Sequence, residues 1–377
     1  MSSPANPNSG EDSRRIQQPG RNPHLFRPIT WRGVTAKNRI MLSPLCEYSS
    51  DDGMPNDWHL VHLGARAAGG AGIICTEATH VSAEGRITAH CLGLWNSAQR
   101  DGLARIASFI AGQGAVPAMQ LAHAGRKASI RRPWEGSAPQ PVAEGGWQVL
   151  GPSALPFGPG HNLPRAMGLD DIARVTAEFA HSAKLARQAG YRIVDLHAGH
   201  GYLLHQFLSP LSNQRNDGYG GDTDGRTRFL LEVIAAVRTE WPAELPLFVR
   251  LSCTDWVEGG LDLAEAIAIT RLLAATGEVD LMDCTTGGLD PRQKITPGPG
   301  YQVPFSEAIR RETGMATGAV GMINTPDLAE EVLANGRADL VIMGRKLMAE
   351  PHWPLQAARA LGASVAWPVQ YERAQLS

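Results

Sequence analysis

The sequence lacks long apolar runs, clustered cysteines and an excess of either charge. No apolar run approaches the roughly 18 residues of a membrane span, and the N-terminal stretch lacks the apolar region of a secretory signal. The 35 basic residues nearly balance the 37 acidic ones, so no field of one sign would attract nucleic acid or anionic lipid. These absences predict a cytoplasmic protein that acts on a small molecule, with no nucleic acid or membrane among its partners.

The cysteines are few and scattered. They lie at Cys46, Cys75, Cys91, Cys253 and Cys284. Their number is odd and no two form a CxxC pair, which argues against a disulfide framework and against a metal cluster. We therefore expect reduced thiols and no metal.

The chain is long for one ordinary domain, yet 377 residues also fit one α/β barrel of about 250 residues with insertions. With 43% hydrophobic and 19% charged residues, it can bury a substantial core. Residues 1–23 are rich in Pro, Ser, Asn and Gly and predict a disordered tail. Residues 24–377 then form one folded domain.

Eight short apolar runs alternate with longer amphipathic stretches, as in successive βα units. They cover residues 39–45, 71–78, 116–125, 192–198, 247–252, 280–286, 315–320 and 339–345. Eight parallel strands predict an α/β fold of the (β/α)8 TIM-barrel type. Two connections, residues 126–169 and 199–224, are too long for plain loops, and insertions of that size are usually functional.

Two of the amphipathic stretches carry recognisable helix ends. Residues 262–277 have apolar residues at helical spacing and end on Gly277, as expected of a helix C-terminus. Before the last strand, Thr325 is suited to cap a helix, Pro326 to begin it and Gly336 to end it. Both stretches support the barrel.

The active site of a TIM barrel lies at the carboxyl ends of its strands, so the polar residues at those ends are candidates. In strand order they are Cys46 and Tyr48, Glu77 and Ala78, Gln120 and His123, His197, His200 and Tyr202, Arg250, and finally Gly344 and Arg345. The small residues of "TGAVG" in the seventh run and Gly344 in the eighth predict a phosphate site built from backbone N–H groups. Arg345 would add a charge-assisted contact.

Each of these residues also has an ordinary structural explanation. Taken alone, His197 and His200 are more readily read as hydrogen-bonded structural residues or metal ligands than as catalytic donors. A metal-dependent barrel hydrolase would use both as ligands, with Glu77 or Asp195 completing the set. That alternative leaves Arg250 and the glycine-arginine pair of the eighth run unexplained.

Eight segments, taken in order, resemble the old yellow enzymes, which are FMN-dependent ene-reductases, and most closely their thermophilic-like subclass of xenobiotic reductases and NADPH dehydrogenases. They are "NRIMLSPLCEYSS", "EATHVSAEGRI", "QLAHAGRKA", "DLHAGHGYLLHQFLSPLSNQRNDGYGG", "FVRLS", "ATGAVGMI", "ADLVIMGR" and "PVQYER". The likeness runs from about residue 24 to residue 373. It implies tightly bound, non-covalent FMN and NADPH or NADH as the reductant.

The resemblance also implies roles for individual residues. Those expected to contact the FMN ring are Ser43, Pro44, Leu45, Cys46, Ala78, Gln120 and Arg250, and those expected to bind its phosphate are Gly318, Gly344 and Arg345. Those expected to bind substrate are Tyr48, Lys127, His197, His200 and Arg373. In the subclass, the residue matching Cys46 tunes the flavin and the one matching Arg373 enters a neighbouring subunit's site, which implies a homodimer or tetramer.

The implied reaction is the reduction of an activated C=C bond by ping-pong hydride transfer from NAD(P)H. Two imidazole N–H groups, from His197 and His200, would polarise the carbonyl or nitro oxygen of an α,β-unsaturated substrate. Tyr202 would then donate a proton to the α-carbon. A flavin-binding protein without catalytic activity is the second alternative.

Overall fold

The computed structural model describes residues 22–376 of the chain. The tail predicted over residues 1–23 falls outside the described residues, apart from its last two positions. Within the described range, twelve strands and ten α-helices are arranged around one barrel.

The strands in chain order are β1 (Ile29–Trp31), β2 (Val34–Ala36), β3 (Ile40–Leu42), β4 (Ile73–His80), β5 (Val116–Ala122), β6 (Leu150–Gly151), β7 (Arg165–Ala166), β8 (Ile193–Ala198), β9 (Leu247–Ser252), β10 (Leu281–Thr285), β11 (Thr317–Ala319) and β12 (Leu340–Met343). Strands β3, β4, β5, β8, β9, β10, β11 and β12 follow one another around a closed barrel in which neighbours are parallel. The (β/α)8 TIM barrel predicted from the sequence is confirmed.

Each predicted apolar run contains or overlaps one barrel strand, because parallel strands are buried on both faces and read as continuous apolar segments. In β9, for example, all six positions are buried. The strand ends differ from the prediction. Glu77 and Ala78 do not end the second barrel strand, because β4 passes an irregularity between Cys75 and Ala78 and continues to His80.

The helices are α1 (Asp57–Ala68), α2 (Ser97–Gly112), α3 (Leu169–Gln188), α4 (Leu203–Leu208), α5 (Thr223–Glu240), α6 (Leu263–Ala275), α7 (Val303–Thr313), α8 (Pro326–Ala334), α9 (Arg345–Ala349) and α10 (Trp353–Ala360). Thr325 caps α8 by accepting from the Leu328 N–H, and Pro326 begins it. Gly277 and Gly336, just past α6 and α8, have φ of 67° and 66°, a left-handed conformation that favours glycine. None of the helices in this range is both long and apolar enough to span a bilayer.

The two long connections leave β5 and β8 at their carboxyl ends, where a barrel builds its site. The first contains the small β6–β7 pair, and the second contains α4. Helix α4 is held against α5 by the rings of Phe207 and Phe229, whose centroids are 4.6 Å apart. The Arg226 guanidinium of α5 also donates to the Leu208 carbonyl at 2.8 Å. This packing anchors the loop that follows β8.

Candidate active site

A cavity of about 560 Å³ opens at the carboxyl ends of the barrel strands. Most of its lining follows β3, β10, β11 and β12, and His200 and Arg250 line it from β8 and β9. The lining residues are Ser43, Pro44, Leu45, His200, Arg250, Thr285, Tyr301, Gln302, Val320, Gly321, Met322, Ile323, Asn324, Ile342, Met343, Gly344, Arg345, Lys346 and Ala349. Its volume is in the range of small-molecule and cofactor sites.

One side of the cavity is built from backbone and small side chains. A Cβ atom added at Gly344 would lie 3.2 Å from Leu45 Cδ2, so a side chain there would crowd the lining. Gly321, with φ of 124°, also faces the cavity, and Arg345 and Lys346 lie beside it, the Lys346 ammonium being paired with the Glu350 carboxylate. Bare backbone beside an arginine suits an anionic group such as a phosphate.

Gly318, predicted to bind phosphate, is not among the lining residues. It lies inside β11, where an added Cβ would be only 2.5 Å from Ile342 Cδ1. Its lack of a side chain therefore serves the close packing of β11 against β12. The glycine of "TGAVG" that reaches the cavity is Gly321, three residues later.

Arg250 is a buried cation at the inner end of the cavity. Its Nη1 donates to Ser43 Oγ at 3.2 Å, and its Nε lies 3.3 Å from Asp283 Oδ2. Asp283 is completely buried and Arg250 is 5% exposed. The ion pair compensates the burial of the guanidinium, which would otherwise be very unfavourable. The pair leaves one edge of Arg250 available to the cavity.

The two histidines predicted at the end of the fourth barrel strand face each other. His197 Nε2 and His200 Nδ1 are 3.3 Å apart, and the rings meet edge to face with centroids separated by 5.1 Å. His197 is buried within β8, whereas His200 lies just beyond it with φ of 53°. The backbone N–H of His200 donates to Ser252 Oγ at 2.9 Å, and this bond holds the unusual backbone conformation.

Both imidazoles are neutral. Burial, and secondarily the partner histidine, lowers the pKa of His197, while burial followed by Arg250 lowers that of His200. His197 Nδ1 accepts from the Gly199 N–H at 3.3 Å, so its ring proton is on Nε2 and points at His200. His200 Nε2 is 2.9 Å from the Thr285 hydroxyl, which can either accept from this nitrogen or donate to it.

Tyr202 and Lys127 lie beside this pair. The Tyr202 ring meets His197 edge to face at 5.0 Å, and burial, with Cys46 next in importance, raises the pKa of its phenol. The Lys127 ammonium donates to the His200 and Gly288 carbonyls, both at 2.8 Å, and lies 5.2 Å from the Tyr202 ring centroid. Lys127 thereby ties the loop after β8 to the loop after β10.

Burial also lowers the pKa of Lys127 to about 8, with Arg126 as a smaller cause. Burial disfavours the charged ammonium, and the two carbonyls that it contacts compensate part of that cost. Its hydrogen bonds go to backbone oxygens, so the side chain positions the loop that bears His200.

Cys46 and Tyr48 form a wall beside Tyr202 and are not part of the cavity lining. They pack with Tyr202 against a small buried apolar cluster that includes Cys91 and Val149. Burial, followed by the nearby Glu77 carboxyl, raises the pKa of the Cys46 thiol, which is therefore neutral. Trp134, 62% exposed, meets the Tyr48 ring at 6.0 Å and extends this aromatic wall towards solvent.

Nine residues with predicted roles are not among those lining the cavity, namely Cys46, Tyr48, Ala78, Gln120, Lys127, His197, Tyr202, Gly318 and Arg373. Ala78 lies buried in β4, and the Gln120 side chain donates to Asp195 Oδ2 at 2.7 Å. Arg373 is exposed in a 3-10 helix, Val369–Leu376, that adjoins a different cavity. That cavity is lined by the end of α1 and the segment before β3, at the amino ends of the strands.

The geometry does not favour a metal site at the two histidines. Glu77 accepts from the Glu47 N–H and lies 3.3 Å from His59, while Asp195 contacts Gln120. Across residues 22–376, no group of three or more His, Cys, Asp or Glu side chains could hold a metal ion.

Sequence reasoning missed several residues of the cavity. Thr285 ends β10, and Tyr301 and Gln302 belong to the loop that follows it, for which the sequence shows no motif. Gln302 Oε1 accepts from the Thr286 hydroxyl at 2.6 Å and from Thr285 Oγ1 at 3.4 Å. The position of Thr285 at a strand end was the available signal.

Comparison with known proteins gives one consistent result. A family model described as the NADH:flavin oxidoreductase / NADH oxidase family matches residues 24–363. An NADPH dehydrogenase of Geobacillus sp. (strain WCH70) is 45% identical over 351 residues, covering 93% of this chain and 98% of that protein.

Solved structures show the same relationship. A morphinone reductase superposes with a TM-score of 0.76 at 28% identity, over 92% of each chain. An old yellow enzyme homologue from Zymomonas mobilis gives a TM-score of 0.75 at 27% identity, covering 92% of this chain and 95% of that one. The likeness extends over nearly the whole length in both sequence and fold.

Proposed function

Because the chain belongs to the NADH:flavin oxidoreductase / NADH oxidase family, as an FMN-dependent NAD(P)H oxidoreductase of the old yellow enzyme type, we propose that it reduces activated C=C bonds. The substrates are α,β-unsaturated carbonyl or nitro compounds, and NAD(P)H and the alkene react in turn by a ping-pong mechanism. The observation that carries this proposal is the pair of neutral imidazoles, with His197 Nε2 and His200 Nδ1 3.3 Å apart.

The cavity fits FMN in size and in the chemistry of its lining. Arg345, Lys346 and the backbone around Gly321 would hold the phosphate, and Ser43, Pro44 and Leu45 would lie along the ring. Arg250, already tied to Ser43, would face the polar edge of that ring. FMN, when bound, supplies the hydride that reaches the β-carbon of the substrate.

His197 and His200 bind and polarise the substrate oxygen. An oxygen placed between Nε2 of His197 and Nδ1 of His200 replaces the hydrogen bond that the rings make with each other. Negative charge grows on this oxygen as the β-carbon is reduced, so two donors aimed at it stabilise the transition state more than the ground state. Neutral rings suit this role because they donate without adding a buried charge.

Thr285 allows both rings to donate at once. In the free site, His197 donates to His200 Nδ1, so His200 carries its proton on Nε2, which faces Thr285. A substrate oxygen needs the proton on Nδ1 instead. The Thr285 hydroxyl can then rotate from its long contact with Gln302 and donate to Nε2. Gln302 keeps its bond from Thr286.

Tyr202 donates the proton to the α-carbon. Its raised pKa keeps the phenol protonated until the carbon becomes strongly basic, and its ring lies against His197, next to the polarised oxygen. Cys46, packed beside Tyr202, completes this wall and acts on the flavin as a neutral thiol.

Resemblance to the thermophilic-like subclass supports a proposal about assembly. We assign Arg373, exposed near the C-terminus and remote from its own cavity, to a neighbouring subunit's active site in a homodimer or tetramer. Tyr48 and Lys127 complete the substrate side in the same proposal.

Five cysteines that are all free, among the described residues, support a cytoplasmic location.

Anaerobic stopped-flow absorption tests the reaction. The enzyme is first reduced with NADPH and then mixed with cyclohexenone. Wild-type flavin is expected to reoxidise, whereas His200→Ala slows this half-reaction by about 10² to 10³ and leaves FMN content and reduction by NADPH close to normal. His181→Ala, which removes an exposed histidine of α3, is the matched control. No reoxidation of the wild type, or normal reoxidation of His200→Ala, contradicts the proposal.

A further inference from the structure

Three ionisable side chains are enclosed inside the barrel, directly behind the cavity. Asp195 lies on β8, Arg250 on β9 and Asp283 on β10, which are consecutive strands of the barrel. Both aspartates have no exposed surface, and Arg250 is the member of the group that reaches the cavity. The roles proposed above use the arginine but neither carboxyl group.

Hydrogen bonding satisfies these carboxyls incompletely. Asp195 Oδ2 accepts from Gln120 Nε2 at 2.7 Å, but Asp195 Oδ1 and both oxygens of Asp283 accept no hydrogen bond from the described residues. Arg250 Nε lies 3.3 Å from Asp283 Oδ2. Asp283 therefore has a cation beside it, whereas Asp195 has only a neutral amide.

A charge count follows from this arrangement. Two ionised carboxylates and one guanidinium would leave a net charge of minus one in a region closed to water, which is strongly unfavourable. One proton on the pair removes that charge. Burial raises the pKa of both carboxyls, but Arg250 lies directly against Asp283 and opposes the rise there, so the proton belongs on Asp195.

The other titratable groups around Asp195 do not change this count. Burial raises the pKa of the Cys75 thiol on β4, with Asp195 itself as the next cause, and burial lowers that of His197 on the same strand as Asp195, so both are neutral. Burial, followed by repulsion from Asp283, raises the pKa of Asp195, while Arg250 and Gln120 oppose the change.

We propose that Asp195 holds a proton at neutral pH and, through Arg250, sets the charge that the barrel interior presents to the cavity. While the proton is present, the three groups sum to zero and Arg250 offers positive charge to the ligand. When the proton leaves, an extra negative charge lies behind Arg250 and offsets it. Asp195 is thus a positioning residue that acts on the ligand through the arginine.

The proposal predicts how flavin chemistry depends on pH, and for that part it rests on the function proposed above. Reduced FMN carries more negative charge than oxidised FMN, so a neutral cluster favours reduction more than a negative one. The reduction potential of bound FMN should therefore fall more steeply with alkaline pH in the wild type than in Asp195→Asn. Equal slopes would contradict the proposal.

Infrared spectroscopy of the FMN-loaded enzyme, with ¹³C-labelled aspartate, detects the proton directly and does not depend on the reaction. We expect a protonated aspartate band at neutral pH that disappears as the pH rises, and that is absent from Asp195→Asn. No such band in the wild type overturns the proposal, even if the variant does not fold. A band lost only in Asp283→Asn also overturns it.

Asp255→Asn is the matched control for the infrared experiment. Although burial alone would raise the pKa of Asp255, His205 and the donors around it hold that pKa below its ordinary value, so the residue is a buried but ionised carboxylate. This variant should keep the protonated band. An enzyme that fails to reduce enones but shows the Asp195 band would refute the proposed reaction and leave this inference standing.

Discussion

The two halves of the barrel differ in strand length, and each half contributes a different part of the site. Strands β3, β11 and β12 have three, three and four residues, whereas β4, β5 and β8 have eight, seven and six. The cavity lies over the short strands, whose following loops supply most of its lining. In the proposed function, early strand ends leave backbone to hold the cofactor, and the longer strands carry the side chains that meet the substrate.

Within the long half, equivalent histidines have unlike surroundings. His80 ends β4, His123 follows β5 and His197 lies near the end of β8, and burial lowers the pKa of all three. His80 Nε2 and His123 Nε2 are buried without a hydrogen-bond partner among the described residues, whereas His197 Nε2 faces His200 beside the cavity. A shared residue type at strand ends therefore does not imply a shared role.

The short half is most sensitive to added volume. Gly344→Phe should weaken FMN binding by about 10- to 100-fold, because overpacking costs about 1 to 3 kcal/mol and a Cβ atom here is already 3.2 Å from Leu45. Fluorescence titration of the apoprotein with FMN measures the affinity. Gly298→Phe is the control, because an added Cβ at that loop position meets nothing within 4 Å. Equal affinity in Gly344→Phe would show that backbone closeness is not what holds the cofactor.

Acid should destabilise the long half through its buried histidines. The pKa is about 4 for His80 and about 3 for His123, with burial as the main cause. Between these values and the unfolded pKa of about 6.5, the folded state binds fewer protons, so stability falls as the pH falls. Each histidine then removes about 2 kcal/mol by pH 5.

Urea unfolding at several pH values checks this prediction. His123→Asn should show a shallower loss of unfolding free energy between neutral pH and pH 5 than the wild type, whatever its stability at neutral pH. Parallel curves for the two proteins would mean that folding does not lower the pKa of His123, contrary to its burial.

The smallest expected effect lies where the two halves meet, at Thr285 of β10. Thr285→Val should slow enone-dependent reoxidation by up to about tenfold, since one hydrogen bond contributes about 0.5 to 1.5 kcal/mol. Thr285→Ser should restore the rate, and ¹⁵N NMR of labelled histidine in the oxidised enzyme with cyclohexenone bound should show an altered His200 tautomer in the valine variant only. An unchanged tautomer would remove Thr285 from the mechanism.

Elements were easier to predict from the sequence than side-chain partners. The eight apolar runs each contain or overlap a barrel strand because burial on both faces leaves a continuous signal. The end of β4 was mispredicted because the irregularity near Ala78 has no sequence mark. Contacts such as Gln120 with Asp195, or Thr285 with His200, depend on strand register across the barrel, which the linear pattern does not contain.

Lys127 shows the same limit for a single residue. The motif "QLAHAGRKA" placed it near the site, yet its ammonium binds two backbone carbonyls. The residue type indicated a cation, but only the fold showed which carbonyl oxygens accept its hydrogen bonds.

Lys127, which bonds to both the His200 and the Gly288 carbonyls, allows substrate selectivity and the rate of the chemical step to be changed independently. The aim of the imidazoles is secured by Lys127 and Ser252, whereas the exposed Trp134 belongs to the hairpin between Ile130 and Pro139, whose two ends pair with each other. Grafting other sequences into that hairpin should redirect which alkenes are accepted while leaving the intrinsic speed of the chemical step intact.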